Sequence, residues 1–212
     1  ERFGVPQSRH RVILFGIRSD LADATEELRT SPQNFVISPA PSEVSVRTAL
    51  SGLPALRSRL SKEHDSPEEW LAAIQSAAEE GFKWWRGEIR EDMEQAMATA
   101  LNAATLNSSG GYKFVQCKVV TDPSMPQSLR SWLHDPRLKG VLHHDTRSHM
   151  RSDLARYLYA ACYAEQYKSS PKLENFPDRL LPDHKNVENE DVPHVDRFRF
   201  QLADNPSTTV VS

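Results

Sequence analysis

Cysteine, excess basic charge and long hydrophobic runs are all scarce in this sequence. No apolar run approaches the roughly 20 residues that cross a bilayer, and no signal peptide opens the chain. Two cysteines among 212 residues exclude a disulfide framework and are typical of a reducing, cytosolic setting. Because 26 Lys and Arg face 29 Asp and Glu, a wholly basic, histone-like DNA binder is excluded, whereas a local nucleic-acid face is not.

The charges that are present are distributed unevenly. Residues 61–95 hold ten acids against four bases, whereas residues 128–156 hold six bases against three acids, together with four histidines. The second segment is therefore a candidate face for a polyanion, and the first is not. Two ordinary solvated surfaces are the alternative interpretation of the same distribution.

Hydrophobic periodicity predicts a helix-rich α+β protein. A continuous apolar run at residues 11–17 is typical of a strand that is buried on both faces. The other predicted strands are at 35–37, 112–120, 197–202 and 208–211, and the predicted helices are at 46–50, 67–81, 88–106, 127–133 and 150–167. The chain starts at Glu1 and stops in a β-branched run, so we expect it to be a piece of a longer protein.

Three polar side chains at alternate positions precede the first apolar strand. Gln7, Arg9 and Arg11 point to the same side if the backbone there is extended, which places them together at the mouth of a sheet. An arginine in such a place often only pairs with a carboxylate. The spacing by itself leaves both a functional and a structural role open.

These residues also carry a resemblance to a known family. Gly4-Val-Pro-Gln-Ser-Arg-His-Arg11, followed by an apolar strand and Gly-Ile-Arg, resembles the eighth shared motif of the DNA (cytosine-5) methyltransferases. Near the other end, Arg197-Phe-Arg199 and the segment from Asp204 to Val210 resemble the ninth motif of that family. In between, the sequence is similar in patches to the recognition region of a bacterial subgroup.

The resemblance implies a domain organisation. Residues 1–20 would end the catalytic domain, 21–45 would be a linker, 46–196 a target recognition domain, and 197–212 would return to the catalytic domain. The implied fold is a small helix-rich α+β recognition domain, flanked by strands that belong to the end of a Rossmann-like methyltransferase sheet. The implied partners are double-stranded DNA and the rest of the catalytic domain, in the bacterial cytoplasm, with neither a membrane nor an obligate protein partner.

The resemblance also implies a chemistry and the residues that take part in it. In this family the target cytosine is flipped out of the duplex, a cysteine attacks C6, and S-adenosylmethionine supplies the methyl group for C5. By match to the eighth motif, Arg11 would contact the cytosine O2, with Arg9 beside it and Gln7 shaping the loop. Arg197, Arg199, Thr208 and Thr209 match the ninth motif and would shape the junction between the domains.

The sequence departs from the family pattern at the catalytic positions. Neither Cys117 nor Cys162 follows a proline as the family nucleophile does, and both are predicted to be packing residues. No Glu-Asn-Val segment is present, and the eight glycines form no glycine-rich turn for S-adenosylmethionine. We therefore expect this piece to hold no cofactor and to be inactive alone, while the intact parent is a methyltransferase. The alternatives are a non-catalytic DNA-binding module and a helical protein-interaction domain.

The basic segment supplies the candidate DNA contacts. They are Arg130, Arg137, Lys139, Arg147 and Arg151. His143, His144, Asp145 and His149 cluster nearby, but they lack ligand spacing, so no metal site is predicted. Trp84 and Trp85 could stack on bases, but they follow an acidic helix and are assigned to packing.

Overall fold

The computed structural model describes residues 3–9, 18–21, 38–84, 88–106, 108–181 and 200–208. Its α-helices are α1 (Val46–Leu50), α2 (Pro67–Trp84), α3 (Glu88–Ala103), α4 (Gln127–Leu133) and α5 (Arg151–Tyr167). Its strands are β1 (Gln7–Ser8), β2 (Arg59–Leu60), β3 (Gly111–Gln116), β4 (Gly140–Asp145), β5 (Ser148–His149) and β6 (Ser207–Thr208). This mixture of helices and small sheets is an α+β fold, as the sequence predicts.

Several predicted features lie outside the described residues. They are the strands at 11–17 and 35–37, residues 197–199 of the segment 197–202, residues 209–211 of the last predicted strand, and the side chains of Arg11, Trp84, Trp85, Arg197, Arg199 and Thr209. Residues 200–202 are described and form no strand, so that part of the prediction is wrong. Among the helices that are described, none is long and apolar enough to pass through a membrane.

The strands form three separate pairs in the described part of the chain. β1 pairs with β6 in parallel, and β2 pairs with β5 in parallel. β3 and β4 form an antiparallel ribbon with Tyr112 opposite His144 and Phe114 opposite Leu142. The first pair joins segments that are about 200 residues apart in the sequence, so it ties the two ends of the described chain together.

The hydrophobic core lies where α2, α3 and α5 pack against one another. Its most buried members are Ala78, Met93, Met97 and Tyr159, and Leu154, Leu158 and Cys162 complete the α5 side. The Sγ atom of Cys162 lies 3.9 Å from the Sδ atom of Met97. These three helices were expected from their 3–4 periodicity, and their burial confirms that pattern.

The helix boundaries differ from prediction at two points. α2 begins as expected, because the Ser66 hydroxyl accepts a hydrogen bond from the Glu69 amide at 3.1 Å and Pro67 takes the first position. However, it continues through Gly81 to Trp84, so the prediction that Gly81 ends it is wrong. Gly81 is buried, and its packing outweighs the low helix propensity of glycine. α3 ends at Ala103 rather than at residue 106, and β3 ends at Gln116 rather than at residue 120.

The buried face of α5 also differs from the predicted face. The 3–4 spacing of Leu154, Tyr157 and Leu158 predicts that Tyr157 is on the apolar side, yet it is 48% exposed, whereas Tyr159 is fully buried. Tyr159 donates a hydrogen bond to the Asn175 carbonyl, and its ring centroid lies 5.1 Å from that of Phe176. The segment after α5 therefore covers a second side of the helix, which a single 3–4 stripe does not anticipate.

A buried ion pair holds the turn between β2 and α2. Arg57 is 6% exposed and donates to Asp65 Oδ1 at 2.7 Å and to Asp65 Oδ2 at 3.1 Å. Asp65 Oδ1 also accepts the Leu60 amide at 3.0 Å. The hydrogen bond from Arg57 lowers the pKa of the Asp65 carboxyl, so the pair stays ionised at neutral pH.

Asp65→Asn tests this pair. The substitution leaves a buried guanidinium without its counter-charge, and we expect a loss of about 2 kcal/mol at pH 7, less than a fully buried pair costs because Asp65 is partly solvated. A carboxyl with a lowered pKa stabilises the fold above its unfolded pKa and loses that effect as the pH falls, so the difference from wild type should shrink below about pH 4. Urea unfolding at several pH values measures both effects. Asp20→Asn, which breaks the exposed pair with Arg18, is the matched control and should change little.

Candidate nucleic-acid interface

The β1–β6 pair places the two motif-like segments side by side. Gln7 lies opposite Ser207 and Ser8 lies opposite Thr208, and the Ser207 amide donates to the Pro6 carbonyl at 3.0 Å. The turn before β1 depends on Gly4, which has a φ of +76° and lies close to Ala40. Gln7 is half-buried on β1, and Arg9 is exposed just beyond it.

The segment 200–208 is held by side-chain and backbone contacts. Gln201 accepts the Thr208 amide through Oε1 at 2.8 Å and donates to the Thr208 hydroxyl through Nε2 at 2.6 Å. The amides of Val46 and Arg47 donate to carbonyls of this segment. Arg47 Nε also lies 2.6 Å from Asp204 Oδ1 and lowers the pKa of that carboxyl. The segment therefore connects β1 to α1.

A test of this connection is Gln201→Ala. Loss of both hydrogen bonds to Thr208 should weaken the β1–β6 pair by about 1 kcal/mol and speed amide exchange at Ser207 and Thr208 several-fold. Hydrogen exchange with mass-spectrometric or NMR detection measures this. Core amides of α5 serve as the internal reference, and equal acceleration there would mean that the change acts on the whole fold instead.

Two of the five predicted DNA contacts, half-buried Arg130 and exposed Arg151, bind other groups of the protein. Arg130 donates to the carbonyls of Asp122, Pro123 and Met125 at 2.9–3.2 Å, which closes the loop before α4. Arg151 pairs with Glu63 at 2.7 Å and with Glu69 at 2.9 Å, and the hydrogen bond with Glu63 raises the pKa of its guanidinium. The contacts of Arg151 link α5 to Glu69 on α2 and to Glu63, just before α2.

The other three predicted contacts are exposed. Arg137 pairs with neighbouring Asp135 at 2.6 Å while its side chain stays 87% exposed. Lys139 and Arg147 are also exposed, and neither side chain makes an ion pair with the residues that the structure describes. An exposed pair contributes about 1 kcal/mol or less, so Arg137 can exchange Asp135 for a phosphate at little cost.

The clustered histidines have separate structural surroundings. His144 Nε2 lies 2.8 Å from the Pro54 carbonyl oxygen, and the His149 ring packs edge-on against Tyr157 at 5.1 Å. His143 has a φ of +50° within β4. Across the described ranges, no three His, Cys, Asp or Glu side chains are grouped as metal ligands.

The cysteines differ in burial. Cys162 is 2% exposed, and burial raises the pKa of its thiol to about 11, so it is protonated at neutral pH and packs as an apolar group. Cys117 is half-buried directly after β3. The surroundings of Cys162 agree with the packing role predicted from the sequence.

The β3–β4 ribbon carries a feature that the sequence analysis missed. Tyr112 is 69% exposed, Phe114 is 46% exposed and Leu142 is 52% exposed, although all three are large and apolar. β3 was predicted as a strand, but both of its faces mix polar and apolar residues, so alternation did not show which face is solvated. Only the cross-strand register reveals that the three residues share one face.

Two cavities in the described part have linings unlike a cofactor site. One of about 340 Å³ is lined by α2 and α5 residues, including Glu80, Gly81 and Ser152. Another of about 290 Å³ lies between α5 and residues 200–205. Neither has the glycine-rich strand-to-helix turn that holds a nucleotide-like ligand, so these residues do not fit S-adenosylmethionine.

Comparison with known proteins defines the class to which the chain belongs. A family model described as C-5 cytosine-specific DNA methylase matches residues 1–178, which is most of the chain. The chain therefore belongs to the C-5 cytosine-specific DNA methylase family, whose members act on DNA and use S-adenosylmethionine. No curated protein and no solved structure gives a significant match.

Proposed function

We propose that this chain is the part of a DNA cytosine-5 methyltransferase that extends from the eighth to the ninth motif and contains the target recognition domain. The parallel β1–β6 pair carries this proposal, because it brings together the segments that resemble those two motifs. The eighth-motif segment lies inside the family match, which ends at residue 178, before the ninth-motif segment.

Residues 46–196 act in this proposal as the unit that recognises the DNA sequence. Three helices pack around their own core, as a separate recognition domain requires. The strands on either side belong to the end of a Rossmann-like sheet, and Gln201 and Thr208 hold the returning segment against β1. The recognition unit would then determine which cytosine reaches the catalytic domain.

Arg11 has the chemical role in this proposal. Attack of the family's cysteine on C6 builds negative charge along the O2 and N3 edge of the pyrimidine. A guanidinium stays charged, donates in a fixed plane and stabilises that charge in a water-poor pocket. Arg9 lies beside Arg11 in the sequence, and Gln7 on β1 shapes the loop that presents it.

The nucleophile and the cofactor pocket belong to other parts of the enzyme in this proposal. Cys162 is buried with a raised pKa, and Cys117 does not follow a proline. This chain alone should therefore transfer no methyl group from S-adenosylmethionine, while the complete methyltransferase does so at C5 of cytosine in duplex DNA. Lys139, Arg147 and Arg137 remain the candidate phosphate contacts.

Arg11→Ala in the complete methyltransferase tests the proposal. Because the partner of Arg11 is the flipped base, methyl transfer should fall on the order of 100-fold while duplex affinity changes little. Arg11→Lys keeps the charge but not the planar fork and should rescue little of the activity. Tritium transfer from labelled S-adenosylmethionine and a duplex-binding titration provide the two readouts.

Lys172→Ala is the control, because Lys172 is an exposed cation that pairs with Glu174 and lies outside both motif-like segments. It should leave both methyl transfer and binding unchanged. Equal losses of methyl transfer and of binding in Arg11→Ala would assign Arg11 a positioning role on the duplex. Absence of any methyl transfer by the wild-type enzyme would overturn the proposed function as a whole.

A further inference from the structure

The first turn of α1 binds a loop that lies far away in the sequence. The Val46 amide donates to the Asn205 carbonyl at 2.9 Å. The Arg47 amide donates to the Ala203 carbonyl at 2.7 Å. The first amides of a helix have no partner within the helix, so the loop 203–205 supplies acceptors that α1 itself does not contain.

Arg47 binds this loop a second time through its side chain. Its Nε atom lies 2.6 Å from Asp204 Oδ1, so one residue holds two consecutive positions of the loop. The pair is largely solvated, with the two side chains 64% and 76% exposed. An exposed pair adds little to the stability of a fold, so the main effect of this one is on where the loop lies.

Apolar packing does not fix the loop on the side of the helices. Ala203, Asp204 and Asn205 are all exposed. A cavity of about 290 Å³ lies between residues 200–205 and the α5 residues Ala161 and Ala164. Groups that line such a space lack the dispersion contacts that hold a packed element in one place. The hydrogen bonds and the ion pair to α1 therefore determine the position of the loop relative to the helices.

The loop continues directly into the strand that pairs with β1. β6 pairs with β1 in parallel, and the Ser207 amide donates to the Pro6 carbonyl at 3.0 Å. Gln201 forms two hydrogen bonds with Thr208, so the residues on either side of the loop are joined to each other. A shift of this closed loop relative to α1 is therefore passed on to β1.

We propose that Val46 and Arg47 are positioning residues for methyl transfer. They hold the loop 203–205, and the loop in turn fixes β1, from which the chain continues to Arg9 and Arg11. The inference rests on the proposed function, and it names the contact through which the recognition unit would act on the catalytic side.

Small displacements have large effects at such a place. Arg11 follows β1 by three residues in the sequence, and its proposed partner is the flipped cytosine. A shift of about 1 Å in a group that stabilises a transition state costs up to about 100-fold in rate. The contact between α1 and the loop can therefore be weak in energy and still control the rate of the reaction.

Arg47→Ala in the complete methyltransferase tests the side-chain contact. The rate of methyl transfer in a single turnover, with enzyme in excess over duplex, should fall about tenfold. Duplex affinity should stay within about twofold, because the candidate phosphate contacts are unchanged. Arg47→Lys should recover part of the rate, since its ammonium group still pairs with Asp204.

Val46→Pro tests the backbone contact. Proline is favoured at the first position of a helix, and Ser45 already has the extended backbone, with a ψ of 162°, that precedes a proline. The substitution therefore removes the hydrogen bond to Asn205 and leaves α1 intact. The single-turnover rate should fall about threefold further than in Val46→Ala, which keeps the amide.

Hydrogen exchange supplies a readout that does not depend on activity. The amides of Gln7 and Ser8 should exchange several-fold faster in both Arg47→Ala and Val46→Pro, with the core amides of α5 as the internal reference. Thermal unfolding of Arg47→Ala should remain within about 2 °C of wild type, because the pair is exposed.

Lys168→Asn is the matched control. Lys168 lines the same cavity and is 70% exposed, but it pairs with Glu165 on α5 instead of with the loop. Its φ of +50° is left-handed, and asparagine tolerates that backbone. This variant should keep the wild-type rate and the wild-type exchange at β1.

A double variant shows whether the contact acts through Arg11. In the presence of Arg11→Ala, adding Arg47→Ala should lower the rate by less than about twofold, because the group that Arg47 positions is already absent. Full multiplication of the two losses would mean that Arg47 acts elsewhere and would overturn the inference.

Wild-type rates in both Arg47→Ala and Val46→Pro would also overturn it, as would an equal loss of rate in Lys168→Asn. Unchanged exchange at Gln7 and Ser8 would show that the loop does not fix β1, with the same consequence. The proposed function fails separately, if the wild-type enzyme transfers no methyl group to duplex DNA.

Discussion

Parallel pairing of Gln7–Ser8 with Ser207–Thr208 is the contact on which the arrangement of this protein depends. It closes a loop of about 200 residues, and such a long closure costs entropy that the pair alone does not repay. The Gln201–Thr208 hydrogen bonds and the contacts between α1 and residues 203–205 provide the remaining stabilisation. The helical body between the two strands is thereby held next to the loop that leads to Arg11.

The packing residues and the candidate site residues occupy different parts of the fold. The helices α2, α3 and α5 form the core and contribute packing, while the candidate site residues Gln7, Arg9, Lys139 and Arg147 lie outside that core. Arg57 and Asp65 connect the two, because their buried pair fixes the segment that anchors both β2 and the β3–β4 ribbon. The proposed function requires such a division, since the cytosine would be selected and held at separate surfaces.

The basic segment shows that side chains of the same charge have different surroundings in the fold. Arg130 and Arg151 have the same side chain as Arg147, yet one binds three carbonyls and the other binds two carboxylates. An arginine donates through five N–H groups, so a nearby cluster of acceptors captures it in the folded state. A linear sequence does not show which acceptors will lie nearby. The apolar face of the β3–β4 ribbon was missed for the same reason. The pairing register of the two strands, and not their composition, shows that Tyr112 and Phe114 share an exposed face with Leu142.

The amino-acid sequence by itself determined the family, the α+β class and the existence of the helices that form the core. These features follow from local patterns: an ordered motif, the 3–4 spacing of apolar residues, and a Ser-Pro helix start. Tertiary structure alone decided that α2 continues past Gly81, that Tyr159 rather than Tyr157 is buried, and which arginines of the basic segment bind other groups of the protein. Each of these outcomes depends on contacts between residues far apart in the chain, whose energies of a few kcal/mol exceed the local preferences that a sequence displays.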